Sequence, residues 1–108
     1  MATIRIIKNK NYSVMSNYHL HDKNLSFKAK GLLSYMLSLP DNWKYSIKSI
    51  SQASKESEKT VRLVLKELEQ NKYLIIKKSQ NNLGRFVYEY FIYELPDTQN
   101  PYMDSSLL

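Results

Sequence analysis

The sequence predicts an α+β fold in which three short helices come before a C-terminal β-hairpin. From Leu25 to Asn71 the apolar residues recur at the three- and four-residue spacing of helices, and a serine precedes each periodic segment. From Tyr73 onward the spacing changes to the alternation that is typical of strands, with a polar break in the middle. A chain of 108 residues accommodates these elements in one domain.

The first 24 residues are expected to form one or two short strands and a connecting segment. Residues 3–16 are rich in β-branched and aromatic side chains around the polar run Asn9-Lys10-Asn11. This pattern predicts a short N-terminal strand.

The first helix is predicted over Phe27–Leu39. Ser26 can cap it by accepting a hydrogen bond from an unpaired backbone N–H, and Pro40 ends it. Gly31 lowers helix propensity by about 1 kcal/mol relative to Ala, so we expect a close backbone contact at this position. The expected buried stripe is Ala29, Leu32, Leu33, Met36 and Leu37.

Two further helices follow on either side of a polar break. Ser46 is expected to cap the second, from Ile47 to Ala53, and Ser57 the third, from Glu58 to about Asn71. The break is Ser54-Lys55-Glu56. The buried side of the third helix is predicted to hold Val61, Val64, Leu65 and Leu68. Its opposite side is predicted to hold Lys59, Arg62, Leu63, Lys66 and Gln70.

The hairpin is predicted from strands at residues 73–79 and 86–95, joined by the polar loop 80–85 that contains Gly84. Residues 96–108 show no apolar period and are predicted to be a linker or a disordered tail. The folded domain is therefore expected to span residues 25–95. This order of helices, tight polar break and basic hairpin predicts a winged helix-turn-helix, in which the third helix enters the major groove of DNA.

The charge of the chain favours a polyanionic partner. The net charge is +6, and all 16 Lys and Arg residues precede Leu95, whereas two of the ten acidic residues follow it. A small domain with this excess is expected to attract nucleic acid, although many small proteins are basic for solubility alone.

Several classes of function are disfavoured by composition. The chain has no Cys, which excludes disulfide scaffolds, Cys-ligated zinc and thiol catalysis. No phosphate-binding Gly-rich loop, paired carboxylates or Ser/His/Asp arrangement is discernible, so we expect no catalysis, no metal site and no cofactor. No apolar run is long enough to cross a bilayer and no signal peptide is discernible, so the expected location is the cytoplasm.

Residues Leu25 to Trp43 read Leu-Ser-Phe-Lys-Ala-Lys-Gly-Leu-Leu-Ser-Tyr-Met-Leu-Ser-Leu-Pro-Asp-Asn-Trp. Further characteristic motifs are Tyr45-Ser46, Ser54–Ser57, Val61–Glu69, Gly84–Phe86 and Glu89–Glu94. On these residues, the segment Leu25–Glu94 resembles the N-terminal winged helix of phage replisome organisers, plasmid replication initiators and DnaD-like replication proteins. The resemblance implies origin binding in phage or plasmid replication.

The chain departs from this family in two ways. Lys72 stands where the family usually has a Gly after the third helix, so a different helix C-cap is expected. In the family, a second domain recruits the replicative helicase or its loader, and the tail here resembles the linker before that domain. We therefore expect either a fragment or a short protein that only binds, and a helicase or loader would be a partner only through the absent domain.

Candidate DNA contacts fall into three groups. The first turns of the third helix are expected to read bases, because Lys and Arg pair with guanine and Thr or Leu can contact a thymine methyl group. Other cations and hydroxyls suit phosphates, which position a protein without reading sequence. The base-reading residues are Lys59, Thr60, Arg62 and Leu63; the backbone residues are Lys55, Ser57, Lys66, Lys77, Lys78 and Arg85; the wing-tip residues are Asn81 and Asn82.

Each group also has a structural interpretation. Lys59 and Arg62 could form a solvated helix face, Ser57 is explained by capping alone, and Asn81 with Asn82 suits the backbone angles of a tight loop. Leu63 could instead pack under the wing or join a dimer, and Phe91 with Tyr93 could form an apolar homodimer surface. Two other functions therefore stay open: a transcriptional regulator that uses the same DNA-binding surface, and a winged helix that only oligomerises.

Overall fold

The structure is a computed structural model that describes residues 2–7 and 11–96. Three helices, α1 (Phe27–Ser38), α2 (Ile47–Ser54) and α3 (Glu58–Gln70), precede two antiparallel strands, β1 (Leu74–Gln80) and β2 (Phe86–Ile92). The predicted class of three helices and a C-terminal hairpin is confirmed. The second strand ends three residues before the predicted Leu95, because its partner begins only at Leu74, which lies opposite Ile92. The predicted tail, apart from Pro96, lies outside the described residues.

The three predicted serine caps begin the three helices. The side chains of Ser26, Ser46 and Ser57 accept hydrogen bonds from the backbone N–H three residues later. Ser46 also forms a reciprocal capping box with Ser49. These caps satisfy N–H groups that have no partner inside the helix, so helix starts could be predicted to the residue.

The core lies where α1, α2 and α3 meet the base of the hairpin. The predicted stripes are buried, with Leu37 and Ile47 packed at their margin. Tyr73 and Leu74 bring the beginning of the hairpin into the same core. The buried side chains are Leu25, Ala29, Leu32, Leu33, Met36, Ile50, Val61, Val64, Leu65, Leu68, Tyr73 and Leu74.

The end of α3 is a Schellman motif with Lys72 in the left-handed position. The N–H of Tyr73 donates to the carbonyl of Leu68, and the N–H of Lys72 donates to that of Glu69. Lys72 has φ of 68°, which is the backbone conformation that glycine adopts most readily. The cap motif therefore forms with a lysine in place of a glycine, and the buried side chains of Leu68 and Tyr73 accompany it.

A carboxylate on α3 joins the beginning of α1. The two oxygens of Glu67 accept hydrogen bonds from the backbone N–H of Ser26, at 2.6 Å, and from its hydroxyl, at 2.9 Å. The same hydroxyl oxygen accepts from the N–H of Ala29. Glu67 therefore fixes α1 relative to α3, and sequence periodicity could not have identified it because it lies at the margin of the apolar stripe.

Two expectations from the sequence are wrong. The described residues 2–7 and 11–16 form no strand, because no backbone hydrogen bond pairs them with another described segment, and a strand needs such a partner. Gly31 has open space rather than a close backbone contact at the position of a Cβ atom. It lies instead at a surface groove of about 310 Å³ between α1 and the beginning of α3.

Residues 19–22 are attached to the helical core by two partly buried polar contacts. The hydroxyl of Tyr73 donates to Asp22 Oδ2 at 2.6 Å, and this hydrogen bond lowers the pKa of the Asp22 carboxyl. His19 is fully buried, and its Nε2 lies 2.8 Å from Ser34 Oγ. The Ser34 hydroxyl also donates to the carbonyl of Lys30 at 2.7 Å, an arrangement that suits a histidine protonated at Nε2. Its Nδ1 is buried and has no hydrogen-bond partner among the described residues.

This histidine makes the stability depend on pH. Burial lowers the pKa of His19 below its usual 6.5, Glu94 opposes this shift and Lys30 adds to it. Below about pH 6.5 the unfolded chain therefore binds a proton that the folded chain does not. The free energy of unfolding should therefore decrease as the pH is lowered. Urea unfolding should show this loss of stability when the pH is lowered from about 7 to about 5. The His19→Gln variant should lose less stability over the same range.

His21→Gln is the matched control, since His21 is exposed on the same 3-10 turn (His19–His21). It should keep the wild-type dependence on pH. An NMR titration of the His19 ring in the folded protein gives a second measurement. A ring that titrates above 6.5, or a His19→Gln chain with an unchanged pH dependence, would contradict the prediction.

Among the described residues, no helix is both long and apolar enough to span a membrane.

Candidate nucleic-acid interface

The connection between α2 and α3 is a tight turn of three residues, Lys55-Glu56-Ser57. Lys55 is exposed and adopts a left-handed conformation with φ of 61°. The hydroxyl of Ser51 donates to the carbonyl of Glu56 at 2.6 Å, and the N–H of Glu56 donates back to the carbonyl of Ser51. These bonds hold the angle between the two helices, and this turn presents Lys55 to solvent at the beginning of α3.

The exposed side of α3 carries the cations that were predicted there from the helical spacing. Lys59, Arg62 and Lys66 are all exposed, and Leu63 lies among them with 60% of its surface exposed. Arg62 Nη2 lies 3.4 Å from Glu58 Oε1, one helical turn earlier. An exposed pair of this kind contributes only about 0.2–1 kcal/mol to stability, so the guanidinium can exchange this partner for another acceptor.

Thr60 and Ser57 lie differently from these cations. Thr60 is half-buried beside the groove at Gly31, and its hydroxyl oxygen accepts from the Ser57 hydroxyl at 3.0 Å. The Ser57 oxygen in turn accepts from the Thr60 N–H at 3.1 Å. Both hydroxyls belong to the helix cap in this structure, whereas Lys59, Arg62, Leu63 and Lys66 face solvent.

The hairpin register separates the two wing lysines. Lys78 lies on the same face of β1 as Leu74 and Ile76, which pack on the core, whereas Lys77 lies on the opposite face, across from Glu89. The Lys78 ammonium is 3.9 Å from the centre of the Phe86 ring. A cation over an aromatic face is stabilised there, so Lys78 has a defined position at the exposed end of the hairpin.

The loop between the strands is built around Asn81. Its side-chain oxygen accepts hydrogen bonds from the N–H groups of Leu83 and Arg85, and Gly84 follows in a left-handed conformation with φ of 77°. The side chain of Asn81 is thus used by the loop itself. Asn82 and Arg85 are exposed at the tip, where their side chains can meet a ligand.

The exposed cations form two places at which the phosphates of a nucleic-acid strand can bind. One is the exposed side of α3 together with the preceding turn, and the other is the wing, where Lys78 and Arg85 lie on or near β1 and β2. Several acidic side chains are occupied within the domain: Glu67 at the cap of α1, Glu58 with Arg62, and Glu56 with Lys28 at 3.4 Å. No three acidic or His side chains among the described residues cluster as metal ligands.

A helix pair with a tight turn, a capped third helix and an adjoining hairpin define a winged helix-turn-helix domain. Residues 23–74 match a family model described as a helix-turn-helix domain, and this match runs from the segment before α1 to the first residue of β1. Neither the curated proteins nor the solved structures that were searched gave a match. A helix-turn-helix domain indicates binding of double-stranded DNA.

Proposed function

We propose that this protein binds double-stranded DNA as the origin-binding domain of a replication-initiation system, with α3 in the major groove and the wing on the backbone. The observation that carries the proposal is the exposed side of α3. Three cations and a leucine face solvent there on a helix whose opposite side is fixed in the core. Lys59, Arg62 and Leu63 are the proposed base-reading residues, and Thr60 would join them only if its hydroxyl left the Ser57 cap.

The turn, the wing and Lys66 on α3 supply the proposed phosphate contacts. The charges are carried by Lys55, Lys66, Lys77, Lys78 and Arg85. The Ser57 hydroxyl would contact a phosphate only if it gave up its hydrogen bonds in the cap of α3. The role in replication is supported by the sequence resemblance of residues 25–94 to phage and plasmid initiators. A transcriptional regulator would use the same surface, so the position of the bound sites, at origin repeats or at promoters, separates the two roles.

A salt titration tests the proposed DNA binding. The affinity for a duplex should fall steeply as salt is raised, with a slope in log–log form of about 0.9 per phosphate neutralised. The double variant Lys77→Ala/Lys78→Ala should bind specific and random duplexes more weakly to the same extent, with a smaller slope.

The matched control is Lys23→Ala/Lys44→Ala. It removes the same charge from exposed positions outside α3, the turn and the wing. It should change affinity less than the wing variant does. Duplex affinity that is insensitive to salt, or that responds equally to both double variants, would overturn the proposed interface. No measurable duplex binding would favour a winged helix that only oligomerises.

A further inference from the structure

The hairpin has an open edge along β2. The N–H of Tyr93 donates to the carbonyl of Tyr73, and the N–H of Asn81 donates to that of Arg85. In an antiparallel ladder the pairs that exchange hydrogen bonds alternate with pairs that do not. Counted from these two bonds, Val87, Glu89 and Phe91 turn their backbone groups toward β1, whereas the residues between them turn theirs away from it. The residues with outward backbone groups are Phe86, Tyr88, Tyr90 and Ile92.

A groove of about 580 Å³ runs along this edge. It is lined on one side by residues 88–92 of β2 and on the other by the segment 39–45. Tyr45 and Tyr90 both line the groove, and their rings stack with the centres 5.8 Å apart. In a described sheet of only two strands, this edge offers unpaired hydrogen-bonding groups to a third strand.

A segment with the composition of a strand is left unpaired elsewhere in the same chain. Ile4, Ile6 and Ile7 are 80%, 71% and 86% exposed, and residues 2–7 take part in no backbone hydrogen bond with another described residue. Isoleucines have high strand propensity and are rarely exposed in such a cluster without a partner.

We propose that residues 3–7 of one copy of this chain pair antiparallel with the β2 edge of a second copy, and that the exchange is reciprocal. With Arg5 opposite Glu89, Ile4 lies opposite Tyr90 and Ile6 opposite Tyr88. These are the β2 residues whose backbone groups point outward, so both isoleucines can exchange hydrogen bonds with them.

Side-chain chemistry favours this edge and this register. One face of the added strand places Ile4 and Ile6 beside two tyrosines, and the other places Arg5 beside Glu89 and Ile7 beside Val87. The outer edge of β1 is less suitable. Lys77 lies in the middle of that strand, on the face away from the core, and would lie beside Arg5. Opposite charges are favourable across strands and like charges are unfavourable.

A second copy fits better than the same chain. Ser16 and Leu95 line one surface depression, so the N-terminal segment approaches the hairpin near the end of β2. In the proposed register Ile7 lies near the beginning of β2, and the nine steps to Ser16 would span at most about 30 Å when fully extended. Pairing within one chain would therefore use almost the full reach of that connection. In a two-fold symmetric exchange the spacing between the two copies can adjust to the connection, and the exchange closes as a dimer.

The test is a charge-swap mixing experiment on the full chain without DNA. Arg5→Glu alone and Glu89→Arg alone each place like charges opposite one another in both ladders, so each should weaken the dimer in sedimentation equilibrium. In an equimolar mixture, a dimer that contains one copy of each variant has opposite charges in both ladders. It should form at the wild-type affinity and contain both chains.

Two further variants identify the contacts. Ile4→Lys/Ile6→Lys should raise the dimer dissociation constant by roughly tenfold or more, whereas Ala2→Lys/Ser13→Lys adds the same charge outside the ladder and should leave it nearly unchanged. Tyr88→Pro removes an N–H that points away from β1, so it should block the dimer while the hairpin persists, as checked by circular dichroism.

The proposal is overturned if wild-type protein stays monomeric at all soluble concentrations, if either single charge variant dimerises as the wild type does, or if the mixture forms no mixed dimer. Protection of residues 3–7 from hydrogen exchange in a monomer would show pairing within one chain and would also overturn it. Because no DNA is present, these outcomes are independent of the proposed DNA binding.

Discussion

Leu68→Ala should destabilise the domain by about 2–5 kcal/mol, the range for truncating a fully buried leucine. Leu68 has no exposed surface, lies on the core side of the last turn of α3, and contributes to the Schellman motif with Tyr73. A domain of this size has a free energy of unfolding near the lower end of about 5–15 kcal/mol, so the variant should lose much of its stability. Urea unfolding followed by circular dichroism measures the difference.

Leu63→Ala is the matched control on the same helix. Leu63 is 60% exposed, so the same chemical change should alter the free energy of unfolding by no more than about 0.5 kcal/mol. If Leu63→Ala were as destabilising as Leu68→Ala, the assignment of the two sides of α3 would be wrong. If Leu63→Ala leaves stability unchanged but weakens duplex binding, Leu63 acts on the proposed DNA surface.

Arg62→Ala should relax the sequence preference of the protein, and this prediction rests on the proposed function. A guanidinium that binds guanine with two hydrogen bonds contributes about 1–3 kcal/mol of discrimination, so affinity for the specific duplex should fall roughly 5- to 150-fold. Affinity for random duplexes should fall much less. The specific duplex is obtained by selecting bound fragments from a DNA library, and both affinities are measured at one salt concentration.

Lys66→Ala is the control for charge on the same helix. Lys66 lies one turn further along the exposed side and is proposed to contact phosphate, so its loss should weaken both duplexes alike. An unchanged ratio of specific to random affinity in Arg62→Ala would refute its role in base reading. Glu58→Gln would add a measurement of the ion pair, since it removes the carboxylate that lies 3.4 Å from the guanidinium.

Local chemistry was enough to predict the helices. Serine caps set the starts of α1, α2 and α3, and the apolar spacing identified the buried sides, because both signals act over a few residues. The alternation after Tyr73 predicted the hairpin for the same reason. The N-terminal strand failed because strand formation requires a partner, and composition does not specify one.

The site was predicted less completely than the fold. The exposure of Lys59, Arg62, Leu63 and Lys66 follows directly from helical periodicity, and the structure confirms that these side chains face solvent. The cap formed by Ser57 was predicted, but the bond that holds the Thr60 hydroxyl in that cap was not, since a hydroxyl can serve a cap or a ligand with equal chemistry. The separation of Lys77 from Lys78 depends on strand register, which composition alone does not determine.

The amino-acid sequence by itself determined where the helices begin, which of their sides are buried and where cations are concentrated, because caps and periodicity are properties of neighbouring residues. Only the tertiary structure decided that Glu67 holds the beginning of α1, that His19 is buried with an unpaired nitrogen, and that β2 presents an open edge. These features join residues that are far apart in the chain, and such contacts are set by how the elements pack rather than by local preference.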